Sequence, residues 1–405
     1  VNHESKAFDI RYTRVTDLLL LLAYITLVIG SVLQVRVDKV FAYMDEALVI
    51  AFAILAVWQI LSGNRRLDRE NRRIGICLVV FLAVGMVSTV FCGIERSFKS
   101  IAIDLLTCSK FFLMLIGVNT ITQGRAGDAL KLCASFSRFY LMLMLVFLPV
   151  GLVLDMGMVI GERLGYAFLY GHPSNFAAAV VTCLVVVLAD RKNEKEFTVI
   201  AAVLLIASDR SKAIAFAAVA LLVVFVLRKK DKIPIGFWIA SGVGSLLIAL
   251  DQIKLYFFDS TTARSVLLLS SFKVANRFIP LGSGYATFGS NVTISDYSPL
   301  YYDLGFERVW GLSPINNDYI ADSFWPIVIG QFGYIGLALF LILLLCLIRK
   351  AFVSISKGAS PVWPICLIVV YLLIASTSES AFFSSYAPGL AMVMGMMMNV
   401  ERQAK

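Results

Sequence analysis

The sequence predicts an all-α, polytopic integral membrane protein, with about twelve transmembrane helices and one long extracytoplasmic loop that contains an amphipathic helix. Three observations predict it. Of the 405 residues, 59% are hydrophobic and only 16% charged, with a mean hydropathy of +0.84, whereas ordinary globular chains carry roughly 25% charged residues. Apolar runs of about 20 residues, the length that a hydrocarbon core of roughly 30 Å requires, recur along the chain. Lys and Arg gather in alternate connectors. A soluble fold of this size needs far more polar surface, so a soluble secreted enzyme, a disordered chain and a disulfide scaffold are excluded together.

The spans read in order near 16–33, 46–62, 74–92, 101–121, 138–154, 174–189, 197–208, 213–227, 235–253, 324–348, 362–378 and 381–398. They form one transmembrane domain, 1–405, with the loop 254–323 inserted between the ninth and tenth spans. The first run follows a charged leader and reads as a signal anchor, not a cleavable signal. Arg65, Arg66, Arg69, Arg72 and Arg73 crowd one connector, Arg191, Lys192 and Lys195 another, and Arg228, Lys229, Lys230 and Lys232 a third; Arg349 and Lys350 follow a later span. With both termini cytoplasmic, all these clusters fall on the cytoplasmic side. The excess of 36 Lys+Arg over 27 Asp+Glu is thus mostly topology, and nucleic acid is not an expected partner. The seven cysteines lie almost wholly in apolar stretches with no CxxC, which favours small packing residues over disulfides or zinc.

The seventh and eighth spans form a hairpin whose arms are about 12 and 15 residues, roughly 18 and 22 Å at 1.5 Å per residue. Neither arm crosses a full bilayer, yet the apex reads Ser208-Asp209-Arg210-Ser211-Lys212. Two readings stand: Asp209 neutralises Arg210 or Lys212 at a tight turn, or the apex is a recessed anion site. Charge below a membrane surface is costly unless it lines a wet cavity or meets a partner.

The segment from Lys254 to about Ile320 is too polar for a span and too long for an ordinary connector. Within it, Leu268, Phe272, Ala275 and Ile279 recur at helical spacing, with Arg264 heading the same stripe and Lys273 and Arg277 on another face. Thr261 or Thr262 is placed to cap this helix, and Pro280 to end it. Arg264 reads either as a site residue or as a snorkelling anchor. The glycines of Pro280–Gly289 permit tight turns, without the Lys-Ser/Thr of a nucleotide loop. The stretch to Asp318, rich in Tyr, Asp and Asn and carrying Trp310, suits sugars as well as a membrane interface. Asn291-Val-Thr293 is a formal glycosylation sequon.

Inside the spans, Asp104 and Lys110 lie on different faces of the fourth and each needs a partner from elsewhere, in an internal ion pair or a substrate role. His172, in Gly171-His-Pro-Ser-Asn175, is placed for hydrogen bonding at a helix start, and Glu379 sits between the last two spans. No carboxylate cluster resembles a divalent-metal site, so no metal or other cofactor is expected. A transporter or flippase fits the helix number but usually shows an internal repeat, which this chain lacks. A structural protein or receptor has no need of recessed arginines. A glycosyltransferase acting on a lipid-diphosphate-linked sugar fits best.

Taken in order, His172-Pro-Ser-Asn175, the Ser208-Asp-Arg-Ser211 apex, Arg264 with Pro280-Leu-Gly-Ser-Gly284, and Asp322-Ser-Phe-Trp-Pro-Ile-Val-Ile-Gly-Gln-Phe-Gly-Tyr-Ile-Gly336 resemble the motifs of the O-antigen polymerase and O-antigen ligase superfamily. The ligase branch typically has His-Asn where this chain has Asp322-Ser323, which favours a polymerase of O-antigen, capsule or exopolysaccharide repeat units. The resemblance implies a bacterial cytoplasmic membrane, undecaprenyl-diphosphate-linked oligosaccharide as substrate, and a chain-length regulator and a flippase as partners. It also assigns roles: Arg210 and Arg264 stabilise the leaving diphosphate, Lys212 and Arg277 assist, and Asp322 is the base, with Glu379 and His172 as alternates. Capping of the tenth span is the other reading of Asp322.

Overall fold

A computed structural model describes residues 2–94, 97–123, 126–154, 157–160, 165–227, 262–356 and 362–400. Apart from one two-stranded ribbon, Val159–Ile160 against Gly165–Tyr166, the regular structure among them is helical. The long helices are α1 (Asn2–Arg36), α2 (Met44–Leu61), α3 (Arg69–Cys92), α4 (Phe98–Ile121), α5 (Ala126–Val153), α6 (Pro173–Asp190), α7 (Glu194–Ala207), α8 (Ser211–Leu222, prolonged by a π-helical turn to Leu227), α9 (Ala263–Arg277), α10 (Phe324–Ser356), α11 (Val362–Ala375) and α12 (Ala387–Met397).

Among the described residues seven helical segments, not twelve, are long and apolar enough to cross a membrane: those built on α1 to α6 and α10. The difference from the sequence expectation has identifiable causes. The hairpin arms are short, as their residue count requires, α7 having 14 residues and α8 12. The stretch read as 362–378 stops at Ala375, where the Thr377 and Ser376 hydroxyls turn back onto the carbonyls of Ile374 and Leu373. The stretch read as 381–398 opens with a 3₁₀ turn, so its α-helix runs only from Ala387, with Pro388 in the first turn. The ninth expected span, 235–253, lies outside the described residues.

Helix α6 is the axis of the bundle, with 83% of its apolar window buried, whereas α1 and α2 bury only 22% and present the rest outward. Exposed Leu18, Leu22, Ile54 and Trp58 are what a lipid-facing surface requires. Polar ties fix the interior. Lys110, 3% exposed, meets Asp45 at 2.7 Å and Glu46 at 3.1 Å, so the sequence expectation of a partner on another helix is met by α2. At the opposite end Lys350 donates to Asp68, Asn71 and Asn119, and Arg138 pairs with Asp190 at 2.7 Å. All seven cysteines are free thiols.

Residues 262–323 form a cap with a core of its own, built on Leu267, Val274, Phe288, Tyr301, Phe306 and Ile320. Thr262 caps α9 by accepting from the Ser265 amide, as expected for one of the two candidate threonines; Thr261 is outside the described residues. The expected apolar stripe is buried only in part: Ala275 is buried and Leu268 half-buried. Ile279 is 66% exposed and Phe272 37%, while Leu267, Ser270, Ser271, Val274 and Ala275 face inward. Small side chains let α9 lie close against α10, so Ser270 and Ser271 join the buried face while the bulkier Phe272 and Ile279 stay outside it.

The glycine turn joins cap to bundle. Helix α10 breaks at Gly333, whose φ of +63° and ψ of −162° leave the helix and strip the carbonyls of Gly330 and Gln331 of helical partners. Those carbonyls accept from the amides of Ser283 and Gly284, each at 2.9 Å. A Cβ on Gly282 meets the Gln331 carbonyl carbon at 2.3 Å, so no side chain fits there. Asp104 completes the junction by accepting from the Ala286 amide at 2.7 Å. Its partner is thus a backbone loop, and Asp104 is a structural anchor.

Candidate functional site

The hairpin apex, the start of α6, the start of α9, the start of α10 and the loop between α11 and α12 converge at the cap end of the bundle. Each places one predicted side chain by local means. Asp209 takes a left-handed conformation (φ +51°) that turns the chain, and Arg210 follows in extended conformation as the residue before α8. Neither Arg210 nor Lys212 pairs with Asp209 among the described residues. Lys212, 8% exposed, reaches Glu379 instead, and Glu379 also accepts from the Tyr386 hydroxyl. Arg264 donates to Asp322 through Nε at 2.9 Å and through a second guanidinium nitrogen. The Asp322 carboxylate has no backbone amide donor among the described residues, so it does not cap α10.

His172 starts α6, its Nδ1 accepting from the Ser174 amide at 3.2 Å, as the sequence predicts. An accepting Nδ1 leaves the proton of the neutral ring on Nε2. Desolvation, then the charges of Arg210 and Lys212, hold the ring below its ordinary pKa, with Glu379 opposing them. The Asp322 carboxyl is held above its ordinary range: burial outweighs the pull of Arg264 and Lys212, and Glu379 adds to the rise. These mutual influences tie His172, Arg210, Lys212, Arg264, Asp322 and Glu379 into one electrostatic cluster.

Three cations there face two carboxylates, and the imbalance has an address. Lys212 and Arg264 are each compensated, whereas Arg210, half-buried, has no ion pair among the described residues. A guanidinium in that state is a fork of donors open to an anion. Arg277 is elsewhere. It pairs with Asp303 at 2.9 Å on an exposed surface, and 13 positions of helix, about 20 Å, separate it from Arg264.

Comparison of the sequence with protein-family models and with curated proteins finds no match to either.

Two residues that sequence reading passed over belong to the cluster. Tyr386 supports Glu379, and Tyr319 lies beside Arg264, its ring centre 6.0 Å from the guanidinium carbon. Tyr319 precedes Asp322 by three positions in an aromatic-rich loop, a signal too common to single it out. Tyr386 carries no signal beyond its nearness to Glu379. Among the described residues no three His, Cys, Asp or Glu side chains are grouped to hold a metal ion.

Proposed function

We propose that the protein is a membrane glycosyltransferase that polymerises undecaprenyl-diphosphate-linked oligosaccharide repeat units on the outer face of the bacterial cytoplasmic membrane. The observation that supports it most is Arg210: a half-buried guanidinium without an ion pair among the described residues, beside two compensated pairs, at the end of a bundle of apolar helices. A diphosphate carried by a lipid brings both the anion that Arg210 lacks and the apolar tail that such a bundle accommodates.

In this reading the acceptor hydroxyl oxygen attacks C1 of the donor sugar, the bond from C1 to the phosphate oxygen breaks, and undecaprenyl diphosphate departs with the electron pair. Arg210 and Arg264 stabilise the charge growing on that phosphate, through fixed donors in a site of low dielectric. Asp322 takes the proton of the attacking hydroxyl, for which a carboxylate of raised pKa is the better base. The diphosphate competes for Arg264 and so frees Asp322 for that role. Lys212, Glu379 and Tyr386 hold the hairpin apex in place.

Reconstitution with lipid-linked repeat units, with no ion gradient, tests the reading. Longer lipid-linked products that disappear in Arg210→Ala and Arg264→Ala support it. Transfer of glycan to a different lipid or to protein indicates a ligase, and translocation without elongation a flippase; either outcome removes the polymerase reading.

A further inference from the structure

Trp310 is 70% exposed, although an indole gains much from burial. The chain nevertheless holds it firmly. Gly311 and Leu312, the next two residues, are buried. The Tyr319 amide closes the turn by donating to the Gly311 carbonyl at 3.0 Å. Gly311 has a φ of +86°, and a Cβ there falls 2.2 Å from the Tyr319 ring, so the absence of a side chain is what admits the tyrosine. The Trp310 and Tyr319 ring centres are 5.4 Å apart, Tyr319 lies beside Arg264, and Arg264 holds Asp322. An exposed indole is thereby connected, residue by residue, to the carboxylate at the site.

We infer that Trp310 and Tyr319 form a platform for a sugar ring, which seats the acceptor end of a glycan and leads its terminal hydroxyl toward Asp322. The inference rests on the glycosyltransferase reading for the word acceptor; the sugar platform stands on the geometry. An aromatic face packs on the C–H face of a pyranose, and side-chain amides and carboxylates at its edge meet the hydroxyls. The turn between the two rings supplies the exposed Asp318, while the Asn317 amide is already spent on the Ile294 carbonyl. Charge argues for a glycan over a membrane surface. From Trp310 to Asp322 the chain has two aspartates and no Lys or Arg, and the cations beside it are paired, Arg264 with Asp322 and Arg308 with Glu307, whereas a segment that binds anionic lipid gathers cations. Fully exposed Ile315 is the feature a membrane anchor shares, and the test separates the two.

The full chain is placed in nanodiscs, and the emission of Trp310 is taken as the difference between the wild type and Trp310→Phe. The probe is polysaccharide extracted from the envelope of the source cells. The expected result is that polysaccharide shields Trp310 from iodide, that brominated phosphatidylcholine does not quench it, and that Tyr319→Ala weakens the shielding about tenfold in polysaccharide concentration, the effect of about 1.4 kcal/mol. Iodide access unchanged by polysaccharide overturns the proposal, and quenching by brominated lipid overturns it in favour of an anchor. Arg210→Ala distinguishes the two readings. Shielding that persists while elongation is lost supports both, and shielding that persists with normal elongation leaves the platform standing and removes the diphosphate role of Arg210.

Discussion

The Arg264 guanidinium and the Asp322 carboxylate, 58 positions apart in sequence, are counter-ions at the seam between cap and bundle. Their side chains are 33% and 26% exposed, so the pair contributes little to stability, at most about 1 kcal/mol. Arg264→Gln and Asp322→Asn are therefore expected to keep wild-type abundance in the membrane and to lose most of their chain extension, read as the ladder of glycan lengths on a gel. Full activity in Asp322→Asn removes that residue as the base.

Arg210 and Lys212 are two positions apart and answer differently to mutation. Arg210→Ala breaks no ion pair among the described residues, so thermal unfolding in detergent stays near wild type while activity is lost. Lys212→Ala leaves Glu379 uncompensated in a largely buried place and costs about 3–5 kcal/mol. The double variant Lys212→Met with Glu379→Gln recovers most of that loss. Equal melting temperatures for the two single alanine variants contradict the assignment.

The pH profile follows from Asp322. A base works ionised, so activity is full above its pKa and falls as pH drops through it. Because burial raises that pKa against the pull of Arg264, the acid limb comes at higher pH than for an ordinary aspartate. Taking away the Arg264 charge removes the largest opposing influence, and the residual activity of Arg264→Gln is expected to lose its acid limb at a still higher pH. A limb unchanged or shifted downward in that variant assigns the titration to another group.

Gly282→Ala forces a Cβ into the backbone of Gln331, and Gly333→Ala adds strain at a positive φ. Each is expected to cost about 1–3 kcal/mol and to expose the cap to limited proteolysis before the bundle unfolds. Gly305→Ala, at a position where an added Cβ has nothing within 4 Å though φ is also positive, separates the packing effect from backbone strain.

Much of this was legible in the sequence, for stated reasons. Apolar length locates α1 to α6 and α10, and the short hairpin with charge at its apex follows from counting residues. Arg264 is identifiable as a charge heading an apolar stripe within the long loop, and Asp322 as a charge where that loop re-enters the membrane. Their pairing is not, since 58 residues of intervening fold set it. The buried face of α9 is legible only in part, at Ala275 and Leu268, because close helix packing selects Ser270 and Ser271, which carry little hydropathy, over Phe272 and Ile279. The glycine turn was legible as a turn and not as a joint, because its partner is a break in another helix, created by Gly333 and invisible to apolar periodicity.

That joint has a mechanical consequence. Since Ser283 and Gly284 donate to carbonyls that α10 leaves open at its own break, the cap is zipped into the backbone of a membrane-length helix and cannot swing away without undoing it. The cap is the fixed jaw of the site. On the facing side the hairpin apex is tied to the α11–α12 loop by Lys212 and Glu379, a fastening between side chains where the cap's is between backbones.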